Sequence, residues 1–268
     1  MKPWHQRALE YFSAGKRPAQ IANELEQSPR QVRRVLSKNG MDLSDGQRLP
    51  RSEYDFRFFK EIDSEAKAYF LGLLAADGYL LEGNENQGYR IKLCLIDRES
   101  LFDFAGAVGI KNPKIYRKGI NGWEISISSQ TMFFDLGALG VTPRKSLTLE
   151  FCRRVPDQLV RHYIRGYFDG DGCASWVRIR RYRYLHLNFA GTFEMLSAIE
   201  NYLRAALQLA PKKIYSRPLQ RIRVLQYTSQ SDVSRVAMHL YGKSQYFMRR
   251  KYEIVTGVMN TPEKFDQE

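Results

Sequence analysis

Tyr69-Phe70-Leu71-Gly72-Leu73-Leu74-Ala75-Ala76-Asp77-Gly78 and Tyr163-Ile164-Arg165-Gly166-Tyr167-Phe168-Asp169-Gly170-Asp171-Gly172 carry one pattern, ninety-four residues apart. Tyrosine, glycine, a small residue and Asp-Gly recur in register. Gly72 and Ala76, like Gly166 and Gly170, are small residues four apart. On a helix such a pair makes a stripe along which a second backbone can approach closely. Asp-Gly then predicts a helix stop, with Gly78 or Gly172 in the left-handed conformation that an ordinary residue resists. If the two stripes pack on each other, Asp77 and Asp171 end up side by side. A lone Asp-Gly reads as a helix-end turn. Two in register, in matching surroundings, read as a paired site.

The surroundings do match. After Asp77, Arg90, Lys92 and Cys94 alternate with Ile91, Leu93 and Leu95, a strand pattern. A helix over about 98–108, a hairpin joining 114–116 to 123–128 around Asn121-Gly122, and a helix over about 130–139 are predicted next. After Asp171, residues 176–180 and 185–189 read as paired strands and about 193–208 as a helix. A hairpin then joins 213–215 to 221–224, and Ser229-Gln230 before a late helix repeats Ser129-Gln130. The predicted fold class is α+β. Helix-strand-strand-helix-strand-strand-helix occurs twice, over 63–150 and 151–268, and each sheet has one apolar and one polar or basic face.

Residues 1–45 read as a separate all-α unit. Ala8, Leu9 and Phe12 share one helix face, and Ile21, Ala22 and Leu25 share another behind Pro18. Ser28-Pro29 is a helix start signal for a third helix that buries Val32, Val35 and Leu36. Arg30, Gln31, Arg34 and Lys38 are left facing outward. A short turn followed by a basic helix resembles a helix-turn-helix DNA-binding unit, although Glu26 sits where that turn often has glycine. Residues 46–62 read as a linker that could lie along DNA through Arg48 and Arg51.

Composition narrows the partner. Among 268 residues, 42 Lys and Arg outweigh 29 Asp and Glu, for a net charge of +13, which points to a polyanion and foremost to nucleic acid. Cys94, Cys152 and Cys173 are widely spaced and form no C-x-x-C pair, so they read as thiols in a reducing compartment. His5, His162, His186 and His239 are equally scattered, which argues against zinc. No apolar run reaches membrane-spanning length and no signal-peptide core opens the chain. The expectation is a soluble, intracellular, cytoplasmic protein without membrane partners. Two carboxylates at a pseudo-symmetric seam in so basic a chain point to a metal-dependent cut across both strands of DNA.

These residues resemble the LAGLIDADG homing endonucleases in their single-chain, two-motif form. The second copy, from Gly166 to Gly172, is close to the family pattern, while Ala75 replaces the earlier aspartate of the first copy. The resemblance covers roughly residues 63 to 255. It implies a monomer whose two αββαββα repeats form a DNA-binding saddle, with no obligate protein partner. Its activity would be site-specific double-strand cleavage that promotes mobility of its own gene or intron. It also implies Mg²⁺ (or Mn²⁺, with Ca²⁺ binding but not supporting cleavage) held by Asp77 and Asp171. The backbone carbonyls of Ala76 and Gly170 would be added ligands. Hard cations want oxygen donors, so carboxylates suit the task. The family places a lysine near each active site, which nominates Lys145, in Val141-Thr142-Pro143-Arg144-Lys145-Ser146, and Lys251, in Arg249-Arg250-Lys251-Tyr252-Glu253.

On the polar sheet faces the candidate DNA contacts are Arg90, Lys92, Lys114, Tyr116, Lys118, Arg178, Arg180, Tyr184, His186, Asn188, Lys213, Tyr215, Arg221 and Arg223. A ribbon of strands fits the major groove, where such side chains can reach base edges. Acidic partners look sparse among these positions, which weakens the reading of a merely solvated face. Two other functions stay open on the same fold: an intron RNA maturase and a non-catalytic transcription regulator. Retention of both aspartates favours cleavage, since RNA binding does not need them. The start at Met1, without an intein-like Cys or Ser, predicts no splicing module.

Overall fold

The computed structural model describes residues 3–14, 16, 18–41, 54–83, 88–216 and 222–259. Arg48, Arg51 and Arg221 lie outside the described residues. The chain divides into two compact units, one up to Glu53 and one from Tyr54 onward.

The first unit holds α1 (Pro3–Ser13), α2 (Pro18–Glu24) and α3 (Pro29–Lys38). Ala8, Ile21, Ala22, Val32 and Leu36 form its buried core, with Trp4, Leu9, Phe12 and Leu25 packed around them. Ser28 caps α3 by accepting from the Gln31 N–H at 3.2 Å. The Gln31 side chain returns the favour, accepting from the Ser28 N–H at 3.3 Å. Two otherwise orphaned donors are satisfied reciprocally, a capping box. Gln31, expected as a DNA contact, thus has a structural task, whereas Arg30 and Arg34 are exposed. Glu26 takes φ 53, the left-handed turn position that favours glycine.

In the second unit, α4 (Glu65–Asp77) leads into β1 (Gly78–Leu81), β2 (Arg90–Leu95), α5 (Arg98–Val108), β3 (Ile115–Lys118), β4 (Gly122–Ser128) and α6 (Gln130–Ala138). The order then repeats: α7 (Val160–Asp171), β5 (Gly172–Ile179), β6 (Tyr182–Gly191), α8 (Phe193–Leu207), β7 (Ile214–Ser216), β8 (Arg223–Tyr227) and α9 (Gln230–Tyr241), followed by α10 (Arg249–Met259). Both sheets are antiparallel, ordered β1-β2-β4-β3 and β5-β6-β8-β7. Strand alternation sends Ile91, Leu93 and Leu95, and likewise Leu185, Leu187 and Phe189, into one continuous core. Arg90 and Lys92, with Tyr184, His186 and Asn188, line the opposite faces.

Several expectations change in detail. Phe58, Phe59 and Ile62 belong to the second unit's core, and the Tyr54 hydroxyl donates to the Ser128 carbonyl at 2.8 Å, so the stretch from Tyr54 is not linker. The first hairpin turns at Gly119, with φ 62, and Gly122 is a strand residue opposite Lys118. Arg180, expected on a strand, has φ 56 in the two-residue turn between Ile179 and Tyr182. Gly78 and Gly172 are not left-handed: their φ values are −78 and −90, and each starts a strand. Glycine is required there for space, because a Cβ on Gly78 would meet the Leu74 carbonyl at 2.6 Å, and one on Gly172 would meet Phe168. Among the described residues no helix is long and apolar enough to cross a membrane.

Candidate active site

The site is built on the contact between α4 and α7. Gly72 and Gly166 carry no side chain because none would fit. A Cβ on Gly72 would fall on the Tyr163 carbonyl oxygen and stand 2.8 Å from the Tyr167 nitrogen. A Cβ on Gly166 would fall on the Tyr69 carbonyl oxygen and stand 2.9 Å from the Leu73 nitrogen. These obstacles are the same two positions in each motif, so the helices cross about a pseudo-twofold axis through the small-residue stripe. One turn further along, a Cβ on Gly170 would run into the Ala76 methyl and come within 3.0 Å of Asp77 Oδ2. Backbone contact at the glycines therefore carries through to the aspartates.

Asp77 and Asp171 are the last residues of the two helices, one step before the strands that lead onto the sheets. Burial, and then the charge of Asp171, push the Asp77 carboxyl up to about 6, against the pull of Lys251 and Lys145. Asp171 is raised as well, chiefly by desolvation, with both lysines opposing, and its side chain is the more open of the two. Neither carboxylate accepts a hydrogen bond from a described residue, and with Asp77 half-buried and Asp171 exposed, both keep lone pairs open to a ligand.

The two nominated lysines stand beside them in matching positions. Lys145, 6% exposed, donates Nζ to the Ala76 carbonyl at 3.2 Å and to the Gly78 carbonyl. Lys251, 4% exposed, donates to the carbonyls of Gly170 at 3.2 Å and Gly172 at 2.6 Å, and also to Phe168 and Asp169. Ala76 and Gly78 are the pseudo-equivalents of Gly170 and Gly172, so each ammonium brackets its aspartate through flanking carbonyls. Burial draws both lysine pKa values down, while nearby aspartates draw them up: Asp171 and Asp77 for Lys145, Asp169 foremost for Lys251. The elements carrying the lysines differ: Lys145 opens a single 3-10 turn, Lys145–Leu147, and Lys251 lies on the first turn of α10.

A buried polar network behind the second motif was not anticipated. Arg165 is fully buried and donates to Glu65 Oε1 at 2.7 Å across the seam, and to the carbonyls of Tyr246 and Leu240 at 2.8 Å. His162 Nδ1 lies 2.9 Å from Arg165 Nη1, and burial together with the Arg165 charge holds its pKa down at about 4. Asp169 accepts from Tyr69 at 2.8 Å, from Tyr241 at 2.5 Å and from the Met248 N–H at 2.8 Å. The available signal was an oppositely charged pair four apart, Arg165 and Asp169, on the stretch of the motif helix that packs into the seam.

On the first sheet, Glu124 is buried between candidate DNA contacts. It pairs with Lys92 at 2.7 Å and Lys118 at 3.5 Å, and accepts from the Tyr79 hydroxyl at 2.5 Å. Burial works against its charge, yet the bonds from Lys92 and Tyr79 hold its pKa below the usual range. The expectation that acidic partners are sparse fails here, because Glu124 lies across the sheet rather than along the strand. Arg90, Tyr184, His186, Asn188 and Arg223 are partly open, and Lys114, Tyr116, Arg178, Lys213 and Tyr215 are exposed. Among the described residues no group of three or more His, Cys, Asp or Glu side chains could hold a metal, which leaves the two aspartates and nearby carbonyls as the oxygen donors.

No family model matches this chain, and no curated protein does. Solved structures do. The LAGLIDADG meganuclease I-AabMI bound to uncleaved DNA aligns with a TM-score of 0.51 over 71% of this chain and 88% of that chain, at 12% identity. I-CpaMI, also bound to uncleaved DNA, aligns with a TM-score of 0.50 over 72% of this chain and 89% of that chain, at 13% identity. With the paired motif helices and the twice-repeated four-stranded sheet, these alignments establish that the chain has the LAGLIDADG meganuclease fold.

Proposed function

We propose that this chain is a LAGLIDADG homing endonuclease that hydrolyses one phosphodiester in each strand of a DNA duplex, using Asp77 and Asp171. The observation that carries this reading is the pair of adjacent carboxylates that accept no hydrogen bond from a described residue, each bracketed by a buried lysine. Carboxylates left this way are poised for a cation. The donor set fits a hard divalent ion such as Mg²⁺ or Mn²⁺: two carboxylates, with the carbonyls of Ala76 and Gly170, which retain lone pairs beside their lysine bonds. When bound, such an ion supplies an activated water and stabilises charge on the attacked phosphate and the leaving oxygen. Asp77 and Asp171 are the carboxylates that would hold it. Lys145 and Lys251, as point charges, offset those carboxylates and favour the approach of phosphate.

The open sheet faces are the proposed DNA surface, with Arg90, Tyr116, Arg178, Tyr184, His186, Asn188, Lys213, Tyr215 and Arg223 presented to the grooves. The second sheet lacks a counterpart of Glu124, since Val224 holds that place in β8. In the first unit, Arg30 and Arg34 on α3 are the proposed DNA contacts of a helix-turn-helix. Both repeats lie in one chain, so the enzyme would act as a monomer, and its target would be the DNA around the insertion point of its own gene.

The test is cleavage of DNA spanning that locus by the full chain, with and without Mg²⁺. Wild type should make metal-dependent double-strand breaks. Asp77→Asn and Asp171→Asn should lose them yet bind DNA as before, each change removing a ligand charge and little volume. Binding without cleavage in any divalent metal would leave a regulator or a maturase instead. In the same binding assay Arg34→Glu should shorten the footprint, and an unchanged footprint would exclude α3 as a DNA reader.

A further inference from the structure

The two lysines reach equivalent places by different means. Residues 242–248, which deliver Lys251, are clasped by side chains from both motif helices. Glu65, on α4, accepts from the N–H groups of Gln245 at 2.7 Å and Tyr246 at 3.3 Å. Arg165, on α7, holds the Tyr246 carbonyl and ties back to Glu65. Asp169 closes the clasp on the Met248 N–H, and the Met248 carbonyl accepts from the Lys251 N–H at 3.0 Å as α10 begins. One helical turn thus separates the Asp169 carboxylate from the Lys251 backbone.

The first half has no equivalent. In the motif register the positions matching Glu65, Arg165 and Asp169 are Leu159, Leu71 and Ala75, none of which can accept or donate a side-chain hydrogen bond. Lys145 follows Arg144, which has φ 58, and the Val141 N–H ahead of it bonds to Leu136 within its own arm. Lys145 is therefore placed by apolar packing, local backbone bonds and one distant hydroxyl, Thr192, which donates to the Leu149 carbonyl at 2.6 Å, whereas Lys251 is placed by a charged clasp from both motif helices.

We propose that Asp169 is a positioning residue for Lys251 alone, so that the two strand cuts depend on differently built supports and can be uncoupled. This rests on the endonuclease reading above. A carboxamide at 169 keeps the volume but loses the charged acceptor shared by three donors. The arm before α10 then loosens and the Lys251 ammonium is no longer fixed over its carbonyls. A displacement of about 1 Å in a catalytic group can cost about a hundredfold in rate. Only the half served by Lys251 should suffer.

The experiment labels each strand of one target duplex separately and follows both cuts for wild type, Asp169→Asn, Tyr241→Phe and Lys251→Met, with melting and DNA affinity measured alongside. Asp169→Asn should slow one strand about ten- to a hundredfold and the other less than about twofold, so that nicked duplex accumulates. The slowed strand should be the one most affected by Lys251→Met, and affinity should be unchanged. Equal slowing of both strands, or of neither, overturns the proposal, because a general loss of stability would not choose a strand. If Asp169→Asn does not fold, Tyr241→Phe decides. It removes one donor and spares the Met248 contact, so a smaller bias towards the same strand supports the proposal and a strand-neutral effect overturns it. Wild type that cuts neither strand refutes the endonuclease reading itself, and this inference falls with it.

Discussion

A single methyl group added at the seam tests the geometry on which both aspartates depend. In Gly72→Ala the new Cβ meets the Tyr163 carbonyl oxygen and the Tyr167 nitrogen, and in Gly166→Ala it meets the Tyr69 carbonyl oxygen and the Leu73 nitrogen. All four are backbone atoms of the facing helix, so no rotamer change relieves the overlap. Restoring ordinary separations of about 3.5 Å requires the helices to part by roughly an ångström. Overpacking of this kind costs about 1–3 kcal/mol, and the backbone character of the obstacle puts these sites near the top of that range. At about 2–4 °C per kcal/mol for a unit this size, melting should drop by about 6–12 °C. Cleavage should fall further, about a hundredfold, since the carboxylates move with the helices. Gly106→Ala on α5 and Gly137→Ala on α6 are the controls: a Cβ there meets nothing within 4 Å. Removing glycine from a helix should raise stability by up to about 1 kcal/mol. Calorimetry and cleavage on all four variants decide the matter. If Gly72→Ala and Gly166→Ala melt like the controls, the helices do not meet through this stripe.

Asp77 gives a pH dependence with a definite sign. Its folded pKa, about 6, exceeds the ordinary 3.8, so the folded metal-free protein holds a proton that the unfolded chain has released. Its contribution to stability therefore declines as pH rises from about 4 to about 6 and is flat above. Asp77→Asn should flatten that decline and raise the melting temperature of the metal-free protein at about pH 7.5, and a pH series of melts showing no difference would contradict the shift. Glu124→Gln should release Lys92 and Lys118 to DNA phosphates, tightening binding and steepening the salt dependence by about one to two units of slope. Fluorescence anisotropy over a salt series reads this, and an unaltered slope would mean the two lysines do not face DNA.

What the sequence revealed and what it hid follow from the distance over which each interaction is written. Gly72, Ala76, Gly166 and Gly170 announce the seam because the helical period makes their spacing meaningful within one motif. Strand alternation from Arg90 to Leu95 and from Tyr184 to Phe189 is similarly local, and both sheets lie where the pattern put them. The lysines were nominated because their segments resemble the family's, and nothing in those segments told that each ammonium would lie against the carbonyls flanking an aspartate. Arg165 and Asp169 were passed over because their partners Glu65, Tyr241 and Met248 come from elements up to a hundred residues away. Glu124 was missed for the same reason across a sheet. Gly78 and Gly172 were right as glycines and wrong in conformation: crowding by the preceding turn, not a positive φ, excludes a side chain.

The ion pair between Glu65 and Arg165 also makes each half a poor partner for itself. Two copies of the second repeat, docked through the same stripe, would set each Arg165 against Leu159 and leave two guanidinium groups buried without a carboxylate. Removing one member of a buried pair costs about 3–5 kcal/mol, and such a homodimer would bear that twice. Two copies of the first repeat would strand Glu65 against Leu71. The seam therefore tells the halves apart: a chain split between the repeats should reassemble as a one-to-one heterodimer rather than as two symmetric species.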